Sequence, residues 1–151
     1  MQNKTLPLSK LLLIENSSTD AKFVSLALEE IGLDEHLQWI ANEKEVFAYL
    51  DGCKKNQLPQ VVLLDMDLET VSGIEVLEKI RSHPYTKYVP VVMFSSSPQD
   101  KHIRTSLTKG ANSYIVKPLD IYDFFEVIHH TVKYWLEVNR VVPLEEAAKD
   151  E

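Results

Sequence analysis

The segment VVLLDMDLETVSG at residues 61–73 decides the fold. It begins with four apolar residues, continues through Asp65 into a polar stretch, and then passes into a helical pattern. Continuous apolar runs of this kind are typical of the buried strands of a parallel sheet. The same succession recurs along the chain. Strong strands are also predicted at residues 11–14 and 89–94, and weaker ones at residues 37–41 and 113–116.

Apolar residues spaced three and four apart predict a helix after each strand. These helices are predicted at residues 21–31, 43–50, 73–81, 99–108 and 120–138. Ser17, Ser18 or Thr19 is available to cap the first of them. Right-handed crossovers between parallel strands place helices on both faces of one sheet. We therefore predict an α/β fold with a doubly wound, five-stranded parallel sheet.

Length and composition limit what the chain can do. Its 151 residues, 44% of them apolar, suit one compact domain, which we place at residues 1–142 with an acidic tail at 143–151. The net charge of -7 argues against nucleic acid as a partner, because that binding depends on clustered Lys and Arg. The single cysteine, Cys53, fits a reducing compartment. The longest apolar runs are far shorter than a membrane span, so we expect a cytoplasmic protein without a membrane partner.

Polar side chains follow the strands at the edge where an open parallel sheet binds its ligands. They are Glu15 and Asn16 after the first strand, Asp65 after the third, Ser95 after the fourth and Lys117 after the fifth. Acid, amide, hydroxyl and ammonium groups together can hold a divalent cation and a phosphoryl group beside a carboxylate nucleophile. Taken alone, Asp65 could be a loop residue or helix cap, and Lys117 a surface charge.

The two carboxylates give this edge its chemistry. Two such groups about 5 Å apart repel by roughly 3 kcal/mol at an effective dielectric constant of 20, so Glu15 and Asp65 would attract Mg²⁺. In loose phosphoryl transfer, most of the catalysis is positioning and charge stabilisation. Lys117 adds a compact positive charge, and Ser95 could hydrogen-bond a phosphoryl oxygen once Asp65 is modified.

These residues resemble the receiver family of response regulators in two-component signalling. The resemblance covers residues 11–135 and rests on the acidic pair, on LLDMDLETVSG at residues 63–73, on PVVMFSS at 90–96 and on GANSYIVKP at 110–118. It implies a flavodoxin-like strand order of 2-1-3-4-5 and a histidine kinase as the phosphoryl donor. It also implies a signalling protein rather than an enzyme, with at most self-phosphorylation and self-dephosphorylation chemistry.

The resemblance assigns a role to each site residue. It implies that Asp65 is the phosphoacceptor, that Glu15, Asn16, Asp65 and the backbone carbonyl of Asp67 hold the metal, that Ser95 and Lys117 bind phosphate, and that Ser95 and Tyr114 form the switch. It further implies a cis peptide bond between Lys117 and Pro118. Gly73 and Gly110 fit turns where a side chain would be costly.

Asn16 departs from the family pattern, in which the second acidic position is usually Asp. An amide keeps an oxygen ligand but removes a full negative charge from the metal site. We therefore predict weaker Mg²⁺ binding; a tenfold loss corresponds to about 1.4 kcal/mol.

A narrower resemblance is to the single-domain response regulators of cyanobacterial phytochromes. It rests on DFFEVIHHTVKYWLEVNRVVP at residues 123–143 and on the long segment at residues 52–60. It implies a phytochrome as the kinase.

The last helix carries more apolar residues than one buried stripe needs. We therefore predict a homodimer through helix four, strand five and helix five, with Phe125, Tyr134, Trp135 and Val138 on its surface. In the alternative, Phe125 and Trp135 cover the domain's own core. His129 and His130 are predicted to be surface residues.

Three other functions remain open at this stage. The Asp65-Met66-Asp67 segment resembles the nucleophile motif of haloacid-dehalogenase-type phosphatases, although Glu69 and the position on the third strand do not fit it. A flavin-binding flavodoxin shares the architecture, but NSSTDA at residues 16–21 has no glycine for a phosphate loop. The strongest alternative is a degenerate, phosphorylation-independent binding module with the receiver fold, which Asn16 would explain.

Overall fold

The computed structural model describes residues 10–141. The strands are β1 (Leu11–Ile14), β2 (Leu37–Ile40), β3 (Val61–Leu64), β4 (Val91–Ser95) and β5 (Ser113–Val116). The helices are α1 (Ser18–Glu30), α2 (Glu43–Asp51), α3 (Gly73–Ser82), α4 (Asp100–Thr108) and α5 (Ile121–Lys133). Short 3₁₀ turns lie at Asp34–His36 and Lys55–Gln57. The first nine residues of the predicted domain, its end at residue 142 and the predicted tail at 143–151 lie outside the described residues.

The described strands form one parallel sheet in the order β2-β1-β3-β4-β5. Each strand is followed by a helix, so the predicted doubly wound α/β fold with flavodoxin-like order is confirmed. The strand order reverses between β1 and β3, and the carboxyl ends of these two strands therefore frame the expected ligand site.

Alternating residues of the central strands supply two separate cores. Leu12, Ile14, Val62 and Leu64 face α2 and α3, whereas Leu11, Leu13, Val61 and Leu63 face α1 and α5. Such alternation explains why the strand sequences are apolar at every position. The sheet is therefore buried on both sides, and its polar chemistry is confined to the strand ends.

Side-chain caps fix where the helices begin. Ser17 is the cap of α1, and its Oγ accepts a hydrogen bond from the backbone N–H of Asp20 at 3.2 Å. Asp120 caps α5 through bonds from the N–H groups of Tyr122 and Asp123 at 2.8 and 3.1 Å. Such caps satisfy N–H groups that have no partner within the helix. The cap at Ser17 confirms one of the three candidates from the sequence.

One expectation about the C-terminal part of the chain is refined and another is wrong. The segment predicted as helical at residues 120–138 is helical to its end, but the α-helix ends at Lys133, and Tyr134–Val138 forms a π turn in which the Asn139 N–H donates to the Tyr134 carbonyl at 2.7 Å. The peptide bond before Pro118 is trans rather than cis. Trans is the lower-energy isomer of a bond to proline by about 0.5–1 kcal/mol.

Two glycines do have the backbone role that was expected. A Cβ at Gly73 would overlap the backbone carbonyl oxygen of Asp65 and lie 2.8 Å from Met66 Cα. Gly110 has a φ of 108°, which residues with side chains rarely adopt. Within residues 10–141, every helix is too short or too polar to cross a lipid bilayer.

Candidate functional site

The register of β1 and β3 places two carboxylates side by side. Ile14 is paired with Leu64, and the ladder continues for one more residue, because the Asp65 N–H donates to the Ile14 carbonyl at 3.0 Å. Glu15 leaves β1 at the same level, with its N–H bonded to Ile40 of β2 at 3.1 Å. Glu15 is 1% exposed and Asp65 is 5% exposed. The two carboxylates predicted from the sequence, Glu15 and Asp65, therefore lie together where the strand order reverses, and both are largely buried.

Lys117 reaches this pair from the other half of the sheet. Its backbone N–H donates to the Ser95 carbonyl at 2.7 Å, which extends the pairing of β4 and β5 past the strand end. Its Nζ lies 2.5 Å from Glu15 Oε1, 2.8 Å from Asp20 Oδ2 and 3.7 Å from Asp65 Oδ1. The ammonium therefore sits among three carboxylates.

Asp20 is the site residue that the sequence reading missed. It lies in the first turn of α1, one turn after Ser17 begins the helix, and its side chain is 29% exposed. An acid in a first turn is favoured by the helix dipole, so its presence alone indicates no site. The sequence carried one signal for Asp20, its position shortly after β1. A residue in the first turn of the helix that follows β1 must lie near the carboxyl ends of the strands.

Burial and crowding shift the protonation of these groups. Burial, and then the hydrogen bond with Asp65, raise the pKa of Glu15 to about 8 against the opposing effect of Lys117. Burial acts to lower the pKa of Lys117, but hydrogen bonds to Asp20 and Glu15 outweigh it and the pKa is raised overall. Lys117 therefore keeps its positive charge, whereas the Glu15 carboxyl holds its proton up to about pH 8.

The donor set has the chemistry that a hard divalent cation requires. Glu15 and Asp65 offer buried carboxylate oxygens, which Mg²⁺ prefers, and Asn16 lies exposed beside them. Over residues 10–141, no three His, Cys, Asp or Glu side chains are grouped so that they could hold one metal ion. The Lys117 ammonium lies among the carboxylates instead. Binding of a divalent ion would therefore require Lys117 to move away from Glu15.

The loop after Asp65 is held close to the site. The Asp67 N–H donates to Asp65 Oδ1 at 3.3 Å, and the Gly73 N–H donates to the Met66 carbonyl at 2.7 Å. The close approach at Gly73 allows α3 to begin directly against the backbone of Asp65. The loop after Asp65 therefore orients one oxygen of the Asp65 carboxylate.

Ser95 and Tyr114 are joined through one residue. Ser95 is fully buried, and its Oγ accepts a hydrogen bond from the Ser97 N–H at 3.1 Å. The Tyr114 hydroxyl donates to the Ser97 carbonyl at 2.8 Å, and Ser97 Oγ lies 2.5 Å from His102 Nδ1 on α4. His102 was not predicted. The Ser95 hydroxyl, the Tyr114 hydroxyl and helix α4 are therefore all hydrogen-bonded to the loop that contains Ser97.

The predicted dimer residues divide into two pairs. Phe125 and Trp135 are half-buried and pack against the core shared with α1, as the alternative reading expected. Tyr134 and Val138 are 47% and 65% exposed. His129 is also partly buried, because its Nε2 lies 2.8 Å from the Ala27 carbonyl oxygen, whereas His130 is exposed as predicted.

Comparison with known proteins identifies the family. The model of the response regulator receiver domain matches residues 11–129. The chain is 32% identical over 133 residues to the probable methanogenesis regulatory protein FilR2 of Methanothrix harundinacea. The aligned region covers 86% of this chain and 85% of that protein.

Two other response regulators are similar in sequence or structure. Response regulator Rcp1 of Synechocystis is 27% identical over 140 residues, covering 91% of this chain and 95% of Rcp1. The Mn²⁺-bound structure of Rcp1 gives a TM-score of 0.78 over 87% of this chain and 97% of its own. The phosphorylated cyanobacterial phytochrome response regulator RcpA, also 27% identical, gives 0.80 over 89% of this chain and 98% of its own.

Receiver domains are components of two-component signalling, and as a class they bind Mg²⁺ and interact with histidine kinases. From the match over most of its length, together with the parallel sheet and the carboxylates at its strand order reversal, this chain belongs to the response regulator receiver domain family.

Proposed function

We propose that this protein accepts a phosphoryl group on Asp65 from a histidine kinase and signals through protein contacts. The observation that carries the proposal is the position of Asp65, a buried carboxylate beside Glu15 and 3.7 Å from the Lys117 ammonium. A carboxylate at a strand order reversal, with a cation beside it, has the surroundings that a phosphoryl acceptor needs.

The chemistry transfers one phosphoryl group between two side chains. An oxygen of Asp65 forms a bond to phosphorus while the bond from phosphorus to the kinase histidine nitrogen breaks, and the nitrogen keeps that electron pair. A bound Mg²⁺, held by Glu15, Asn16, Asp65 and the carbonyl of Asp67, would neutralise charge on the phosphoryl oxygens. Lys117 would turn from Glu15 toward the same oxygens, since it already lies near Asp65.

The modification would be relayed through Ser95. Its hydroxyl now accepts a bond from the Ser97 N–H, and a phosphoryl group on Asp65 would offer that hydroxyl a stronger, charged acceptor. A shift of Ser95 would disturb Ser97, to which both Tyr114 and His102 are bonded. The signal would thus reach α4 and β5 through contacts that are already made.

Asn16 would lower the affinity of the site for Mg²⁺. The substitution Asn16→Asp adds a carboxylate to an exposed position beside two buried ones, and we expect about tenfold tighter Mg²⁺ binding, equivalent to about 1.4 kcal/mol. Isothermal titration calorimetry measures the change directly. An affinity equal to that of the wild type would contradict the assigned role of Asn16.

We propose two partners, a phytochrome as the histidine kinase and a second copy of this chain. We further propose that the protein acts in the cytoplasm, where ATP is available to such kinases. Similarity to Rcp1 and RcpA supports the first. Exposed apolar side chains near α5 support the second, with Tyr134 and Val138 on the surface and Phe125 and Trp135 behind them. Analytical ultracentrifugation with and without beryllofluoride, a phosphoryl analogue, tests the dimer.

The test of the proposed function is phosphorylation by acetyl phosphate and Mg²⁺, followed by Phos-tag electrophoresis. We expect a shifted band for the wild type and for Asp67→Asn, which keeps the backbone carbonyl, and none for Asp65→Asn. Absence of a shifted band from the wild type, with acetyl phosphate and with a phosphorylated kinase, would favour the second candidate, a phosphorylation-independent binding module. That candidate is motivated by the missing charge at Asn16.

A further inference from the structure

Asp20 occupies a position at the site that the proposed ligand set does not use. Its Oδ2 is 2.8 Å from Lys117 Nζ, and the same ammonium lies 2.5 Å from Glu15 Oε1 and 3.7 Å from Asp65 Oδ1. The three carboxylates therefore converge on one point of positive charge. Asp20 reaches this point from α1, whereas Glu15 and Asp65 reach it from the sheet.

The formal charges explain why a third acid belongs at this site. With an amide at Asn16 and every carboxyl ionised, as cation binding requires, Glu15 and Asp65 are opposed by Lys117, and the charges sum to a single negative charge. Including Asp20 makes the sum twofold negative, which balances a divalent cation. Coulomb attraction in a partly buried site is several times stronger than in water, so one charge at this distance has a measurable effect.

We propose that Asp20 supplies the carboxylate charge that position 16 lacks, so that Glu15, Asp20 and Asp65 together attract the divalent cation. This inference rests on the proposed function, because it concerns the same cation site. Asp20 lies four residues after Asn16 and belongs to a helix whose start is fixed by the Ser17 cap. The cap fixes the first turn of α1, and from this turn Asp20 Oδ2 contacts Lys117 Nζ.

A change of the Asp20 side chain leaves the α1 cap in place. The bond that caps α1 uses the backbone N–H of Asp20, so Asp20→Asn retains the cap and nearly the same volume. A matched control is Asp34→Asn, which removes the same charge from an exposed residue ahead of β2, at the opposite edge of the sheet. Thermal unfolding followed by circular dichroism verifies that both variants are folded.

The experiment measures Mg²⁺ binding to the full chain by calorimetry, without any phosphoryl donor. We expect Asp20→Asn to weaken binding about tenfold, as expected for one lost ligand charge, and Asp34→Asn to leave it unchanged. The double variant Asp20→Asn/Asn16→Asp should return to within about twofold of the wild type, because the charge is restored at the usual position. Equal affinities for Asp20→Asn and Asp34→Asn would overturn the inference.

A second arm separates an effect on the cation from an effect on the lysine. In a Lys117→Met background, Asp20→Asn should still weaken Mg²⁺ binding. Disappearance of the effect would mean that Asp20 serves the lysine alone, and the inference would be wrong. Failure of the proposed function gives a different result, in which neither the wild type nor Asn16→Asp binds Mg²⁺.

Discussion

The two helices that flank β5 in sequence are attached to the protein in different ways. Helix α5 buries Phe124, Ile128 and Val132 against α1 and the sheet, and the ring of Phe124 packs edge-on against Phe94 with centroids 5.3 Å apart. In α4 the buried residue is Ser106, whose hydroxyl lies 3.4 Å from Met66 Sδ, and His102 of the same helix is hydrogen-bonded to Ser97. One helix is held by apolar packing, and the other is held largely by polar contacts.

This difference divides the surroundings of the site into two parts. The frame consists of β1, α1 and α5, and the movable part consists of α4 and the loop at residues 96–99. The core between α1 and α5 holds β1 and the start of α1, which carry Glu15 and Asp20, so these acids have fixed positions. Helix α4 is bonded through His102 to Ser97, whose N–H donates to the Ser95 hydroxyl. Segments with few buried apolar contacts open at lower free energy. A local change at Asp65 can therefore displace α4 at small cost.

The largest effect is expected from removing apolar volume on the α5 side. We expect Phe124→Ala to lower the free energy of unfolding by about 3–5 kcal/mol, because a large buried ring is lost. The matched change on α4 is Leu107→Ala, at a side chain that is 49% exposed, with an expected loss within about 0.5 kcal/mol. Urea denaturation measures both. Comparable losses would show that α4 is packed as firmly as α5.

An intermediate effect is expected at Arg81, where α3 is tied to the segment between α4 and β5. Its guanidinium donates to the carbonyls of Gly110 and Val89 at 2.9 and 2.7 Å and to Asn112 Oδ1 at 2.8 Å. Hydrogen bonds from a charged group contribute about 1.5–3 kcal/mol, so we expect Arg81→Met to cost about 2–3 kcal/mol in urea denaturation.

The control for Arg81 is Arg104→Met, since Arg104 is an exposed arginine on α4 itself. This variant should unfold like the wild type. If Arg81→Met were equally neutral, the segment after α4 would have another anchor, and the division between frame and movable part would need revision.

The smallest effect on stability is expected at Tyr114. Tyr114→Phe removes the hydroxyl that donates to the Ser97 carbonyl and should cost about 1 kcal/mol. Its clearer effect should be faster amide hydrogen exchange at residues 96–99, while α5 exchanges as before. Tyr134→Phe, at a half-exposed ring, should change neither quantity. Unchanged exchange in Tyr114→Phe would mean that this bond does not restrain the loop.

The sequence predicted the features that repeat in a regular way along the chain. Apolar runs and helical spacing predicted the order of elements, and the residues after each strand predicted Glu15, Asp65 and Lys117. The structure brings both carboxylates within 3.7 Å of the Lys117 ammonium. These predictions succeed because the ends of parallel strands must meet at one edge of the sheet.

The missed features depend on tertiary packing. Asp20 reads as an ordinary first-turn acid, and its contact with Lys117 follows from how α1 leaves the sheet. The bond between Ser97 and His102 joins a loop to a helix face, which no periodicity encodes. The π turn at Tyr134–Val138 keeps a helical spacing, so the sequence could not distinguish it from a continued α-helix.

We expect a change at Asp65 to move α4 while α5 stays in place. Hydrogen exchange followed by mass spectrometry tests it, comparing the full chain alone with the chain in Mg²⁺ and beryllofluoride, and using Asp65→Asn as the control. We predict altered exchange at residues 96–108, unaltered exchange in α5, and no response in the control. Altered exchange in α5 with none in α4, or a full response in Asp65→Asn, would contradict it.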